Sequence, residues 1–224
     1  MNNIKFNMIG EEVNIDEPRL IYLIIENKIM FYKFNKYCFE DFYGVDNYLS
    51  YFINDVSEKN DKVMNFIPNV FDLSLNNKRN INSLYKILKN KYYDDLKVDI
   101  DSLKEKAIEI ISNIALDFDV ELTANSEIKA DDLFKILDLR FNDESNNLLD
   151  ILIKYCSVIR ELQNIDVFVI NQLRDYFYDD DLSRMYHELS YKGITIIDVE
   201  NNANFVKNKD DIVLIVDKDL CSIV

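Results

Sequence analysis

Only three glycines, Gly10, Gly44 and Gly193, occur in 224 residues, and no two are close enough to share a loop. That scarcity constrains the fold more than any other feature. Short β-branched runs alternate with amphipathic helical stretches, the pattern of an α/β protein built from βαβ units. Such sheets often bind nucleotides through a glycine-rich turn after the first strand. Here neither G-x-x-x-x-G-K nor G-x-G-x-x-G can be written. The run Leu20–Glu26 passes straight into Asn27-Lys28-Ile29, where a phosphate loop would sit. The expectation is a nucleotide-binding-like scaffold without the phosphate cradle, and so without ATP or GTP binding.

The order of periodic segments gives an organisation. Strands are expected at Ile4–Phe6, Val13–Ile15, Leu20–Glu26, Tyr48–Ile53 and Asn65–Leu73, with a helix from Lys28 to Asp41. Another helix follows Asn76–Asn80, with Ile81, Leu84, Tyr85 and Leu88 on one face. From Asp99 the texture becomes wholly helical. Ser102 and Glu105 fit a capping box at the start of a long helix. Two more helices are expected at Ala130–Leu137 and Asp143–Leu162. Strands return at Ile165–Ile170, Ile194–Val199 and Ile212–Val216, around a helix opened by Asp179-Asp180-Asp181 and stopped by Gly193. The chain therefore divides into an α/β head, 1–97 plus 163–224, and an inserted helical leg, 98–162.

Charge and cysteine usage narrow the chemistry. Apolar residues make up 48% of the chain, enough for a folded core, yet no apolar run is long enough to span a membrane. The N-terminal residues do not read as a signal-peptide stretch, and a cytoplasmic location is the expectation. Cys38, Cys156 and Cys221 are scattered and read as reduced packing residues. The single histidine, His187, has no nucleophile motif beside it and reads as a surface or boundary residue. The net charge of −15 opposes binding to a polyanion unless basic groups gather on one surface.

Several segments resemble one family in their order and spacing. They are Ile24-Ile25-Glu26-Asn27-Lys28, Asp72-Leu73-Ser74-Leu75-Asn76-Asn77, the long helix leading into Asp117-Phe118-Asp119-Val120-Glu121, Val167-Phe168-Val169-Ile170-Asn171, and Ile194-Thr195-Ile196-Ile197-Asp198-Val199-Glu200. Together they resemble the ring-forming, DNA-end-binding proteins of type II-A CRISPR systems, the Csn-two family. The resemblance implies a P-loop-ATPase-like head lacking a phosphate loop and an inserted helical leg. It also implies a homotetrameric ring that binds calcium and threads double-stranded DNA ends. Its role would be spacer acquisition, beside the CRISPR integrase complex and the RNA-guided nuclease.

The resemblance also assigns residues. Calcium prefers several oxygen ligands, and Asp117, Asp119, Glu121, Glu127 and Asp132 are the expected set. Phosphate contacts are expected from Lys28, Lys33 and Lys36 in the first head helix, and from Lys78, Arg79, Lys86 and Lys89 further on. Two other readings stand beside this one. Glu26-Asn27-Lys28 is an E-x-K element of the sort used by metal-dependent nucleases, with Asp16 as a partner. A non-catalytic scaffold that binds only proteins through its acidic surface is the other.

Overall fold

A computed structural model describes residues 1–42, 47–116, 127–142, 144–145, 147–202 and 212–223. The chain divides into two compact units, one formed by Met1–Ser74 with Glu144–Val224 and the other by Leu75–Asp143.

The first unit is α/β. It contains β1 (Asn2–Phe6), β2 (Glu11–Asn14), β3 (Leu20–Ile25), α1 (Lys28–Phe39), β4 (Leu49–Ile53), β5 (Val56–Glu58), the single turn α2 (Asn60–Val63) and β6 (Met64–Ile67). A four-stranded antiparallel sheet has the order β2-β1-β4-β5. Pro68 ends β6 well short of the expected Leu73, because proline brings no backbone donor to a ladder.

The second unit is helical. It holds α3 (Lys78–Lys91), α4 (Tyr93–Ala115) and α5 (Ala130–Ile136). Asn77 caps α3 by accepting from Asn80 N at 2.9 Å. The side chain of Asn76 pairs with the Phe141 backbone in both directions, at 2.9 and 3.0 Å, and so closes the ends of the unit. Ser102 does not cap anything. It lies inside α4, because Leu96 and Ile100 continue the apolar stripe N-terminally and extend the helix back to Tyr93.

The chain then returns to the first unit through α6 (Leu148–Gln163), β7 (Val167–Asn171), a 3-10 turn at Leu173–Asp175, α7 (Asp179–Tyr191), β8 (Thr195–Glu200), β9 (Ile212–Val216) and β10 (Ser222–Ile223). The main sheet has the order β10-β9-β3-β8-β7-β6, parallel except for the edge strand β10. Strands β3, β7 and β8 are almost wholly buried, as expected of a parallel sheet covered on both faces.

Alternation along those strands makes two cores. On one face Leu23, Val169 and Ile197 join Phe34 and Tyr37 of α1 and the small antiparallel sheet. On the other, Phe168, Ile170 and Ile196 meet Leu152 and Cys156 of α6 and Met185 and Leu189 of α7. That second core places α6 in the α/β unit. The expected leg, 98–162, is therefore replaced by 75–143: α6 is drawn to the sheet by its buried stripe, and α3 packs with α4 and α5. Cys38 and Cys156 are buried core residues, but Cys221 is exposed.

Candidate nucleic-acid interface and a buried carboxylate cluster

The turn after β3 decides whether phosphate could be held there. It consists of Glu26 and Asn27 alone. The Asn27 side chain accepts from Ile29 N at 3.1 Å and Met30 N at 3.0 Å, and its amide donates to Lys218 O at 2.9 Å. A helix N-terminus binds phosphate through free N–H groups. Here the protein's own asparagine satisfies two of them.

The rest of α1 sorts its side chains by helical period. Phe34, Tyr37 and Cys38 enter the core. At 100° per residue, Lys28, Tyr32, Lys36 and Phe39 share the opposite face, and Lys33 lies away from them. Tyr32 is 64% and Phe39 74% exposed, so two aromatic rings alternate with two cations on an open helix surface. Lys36 reaches Glu40 at 3.7 Å.

In the helical unit, Lys78, Arg79 and Lys86 lie on the exposed side of α3. Lys89 does not join them, because its ammonium donates to Asp131 of α5 at 3.1 Å. The basic candidates therefore fall on both units: Lys28, Lys33 and Lys36 on the α/β unit, and Lys78, Arg79, Lys86 and Lys89 on the helical one.

Of the expected calcium ligands, Asp117, Asp119 and Glu121 lie outside the described residues. Glu127 and Asp132 flank the start of α5. Asp132 accepts from Lys129 N at 3.1 Å, and Glu127 lies 3.9 Å from the Lys129 ammonium. Among the described residues no group of three potential metal ligands forms. These two carboxylates have the hard-oxygen chemistry that calcium requires.

The nuclease element is not assembled. Asp16 accepts from Asn2 N at 2.7 Å and from Asn14 at 3.1 Å, and these bonds, Asn14's foremost, hold its carboxyl below the ordinary aspartate value. It precedes β3, whereas Glu26 follows it. A six-residue strand separates them by about 20 Å, too far to share a metal.

A buried ionisable cluster at the end of β8 was not foreseen. Asp198 and Glu200 sit two residues apart on one face of β8, and are 0% and 2% exposed. Tyr186 of α7 donates its hydroxyl to Asp198 Oδ2 at 3.1 Å. Arg174 N donates to Glu200 Oε1 at 3.1 Å. The Arg174 guanidinium donates to the Tyr22 hydroxyl at 3.1 Å, covers the Tyr22 ring at 5.0 Å and pairs with Asp179. Burial, then the neighbouring Glu200 charge, pushes the Asp198 carboxyl well above its ordinary range. Burial also raises Glu200 and, with Asp198 second, Tyr186. Burial thus favours the protonated form of Asp198. The sequence signal was the alternation Asp198-Val199-Glu200 at the end of an otherwise apolar strand.

No described helix is long and apolar enough to cross a membrane. Among curated proteins none matches this chain. A solved structure to which it is similar is an ABC-transporter ATP-binding protein from Pyrococcus furiosus. That similarity has 14% identity and a TM-score of 0.41, and covers 94% of this chain and 96% of that one. The model of the family described as CRISPR-associated protein (Cas_Csn2) matches residues 42–220, from the end of α1 to the strand β9 and just beyond. With most of its length inside that match, the chain belongs to the Cas_Csn2 family of CRISPR-associated proteins.

Proposed function

We infer that this CRISPR-associated protein is a non-catalytic binder of double-stranded DNA ends, assembled as a calcium-dependent homotetrameric ring that supports spacer acquisition. Family membership over residues 42–220 carries the reading. Its partners are then the CRISPR integrase complex and the RNA-guided nuclease.

Three structural observations support it. The Asn27 cap takes up N–H groups that a nucleotide phosphate would need. Lys28 and Lys36 on α1, with Lys78, Arg79 and Lys86 on α3, offer sequence-independent phosphate contacts. Leu103, Ile110 and Ile114 leave an apolar face of α4 about half exposed, a surface that a second copy can cover. A ring also answers the charge problem. A chain of net charge −15 can hold DNA if its cations face inward and symmetry repeats them. Glu127 and Asp132 would contribute to the calcium site together with Asp117, Asp119 and Glu121, and the ion would neutralise that acidic group.

Native mass measured with and without calcium, alongside titration of linear duplex at rising salt, tests this. The expected result is a calcium-stabilised tetramer whose DNA affinity falls steeply with salt. A monomer that ignores duplex under all conditions would leave the protein-scaffold reading. Cleavage of the duplex with magnesium or manganese would select a nuclease.

A further inference from the structure

The cationic, aromatic face of α1 does not stand alone. It forms one wall of an open cleft of about 480 Å³ within the α/β unit. The other wall is the carboxyl end of the edge of the main sheet: Phe66 on β6, Pro68 just after it, and Asn171 at the end of β7. Crevices outside the carboxyl ends of parallel strands are where open α/β sheets take ligands. At the turn after β3 the Asn27 side chain already takes up two N–H groups, whereas this neighbouring cleft offers a different chemistry.

We propose that the cleft takes an unpaired nucleobase, supplied by the end of the bound DNA. The inference deepens the DNA-end reading and rests on it. The argument comes from composition and charge together. Four aromatic rings, Phe31, Tyr32, Phe39 and Phe66, line the cleft, and a flat heteroaromatic base stacks on such rings whatever its sequence. Lys28 and Lys36 lie on the same helical face, within reach of the phosphates that flank a splayed base. A purely apolar protein segment would gain nothing from those two cations.

The polar groups of the walls fit the same ligand. Asn35 uses its amide N–H to bond Phe31 O at 3.0 Å, which leaves its side-chain oxygen without a partner. The side-chain oxygen of Asn171 is likewise buried without one. Such acceptors are unfavourable while unpaired. The N–H edge of a base has the donor chemistry that both acceptors lack.

The test compares a blunt duplex with the same duplex carrying one unpaired nucleotide at its end, using the full-length protein. Tyr32→Ala/Phe39→Ala removes two exposed rings and leaves the core intact. The wild type is expected to prefer the unpaired end by about tenfold, the scale of one base–aromatic stack. The double variant should lose the preference and bind blunt duplex as the wild type does. A photoreactive 5-iodouracil at the unpaired position should crosslink to the α1 peptide. Equal affinity for both ends, with no crosslink to α1, overturns the proposal and leaves the cleft to a protein partner. If no duplex binds at all, the DNA-end reading fails separately. Titration with free deoxyadenosine then decides the cleft: binding lost in the double variant supports a base site, and its absence overturns it.

Discussion

The two units solve the burial problem in different ways. The α/β unit sandwiches a parallel sheet between two cores, and residues as large as Tyr22, Phe34 and Phe168 are almost fully enclosed. The helical unit has four buried apolar residues among those described: Leu75, Tyr85, Ile100 and Phe134. Val98, Ile110, Ile114, Ile136 and Leu137 are each more than half exposed. One unit is held by its own interior. The other rests on a small cluster, the Asn76–Phe141 clasp, and a helix whose apolar face has surface left to cover. The difference shows where stability resides: the first unit has an extensive interior, and the second leaves apolar surface open.

The sharpest way to break that comparison is a pair of truncations followed by urea unfolding. Leu152→Ala, in the core between α6 and the sheet, should destabilise the α/β unit by about 2–5 kcal/mol. Ile110→Ala, on the open face of α4, should change the stability of the isolated chain by less than about 0.5 kcal/mol. Equal losses would mean that α4 is as well packed as α6.

Asp198→Asn probes the buried carboxylate cluster of the α/β unit. The folded carboxyl holds its proton more tightly than the unfolded one. Its contribution is therefore full below about pH 4 and is lost as pH rises through the raised value. The variant keeps an acceptor for Tyr186 and has no proton to lose. Its melting temperature should exceed that of the wild type by a few degrees, on the order of 1 kcal/mol, near neutral pH. The gap should close as pH falls toward about 4. A constant gap across that range would mean that the Asp198 carboxyl binds its proton equally well in the folded and unfolded chains.

Smaller effects are expected in the helical unit. The Tyr85 hydroxyl lies 3.1 Å from Leu139 O and 3.3 Å from Phe134 O, over a ring contact with Phe134. Tyr85→Phe should cost about 1 kcal/mol, read as faster amide exchange within 75–143 and unchanged exchange in β3, β7 and β8. Lys89→Ala removes the half-exposed ion pair with Asp131 and should cost less than about 1 kcal/mol in thermal unfolding.

The elements themselves were legible in the sequence. Leu20–Ile25, Val167–Asn171 and Ile212–Val216 announce buried strands through continuous β-branched runs, and the missing glycines announce the missing phosphate loop. Partnership was less legible. The stripe of α6, from Leu149 to Ile159, reads the same whether it faces a sheet or another helix, so it was expected in the leg. The capping box at Ser102 is a local signal, overridden by an apolar period that runs on into the preceding turn. The burial of Asp198 and Glu200 depends on β3 and β7 flanking β8, a non-local fact. Nor does the basic count of α3 reveal that Lys89 is taken up by Asp131, which only the folded α5 brings near.

The central claim is that DNA is held inside a closed ring and enters by its end. Competition between linear duplex and relaxed, covalently closed circles of the same sequence, with calcium present, addresses it directly. The account predicts strong preference for the linear form, with little dependence on sequence and a steep loss with salt. Equal affinity for the closed circles would contradict it, because a closed ring cannot pass over DNA that has no end.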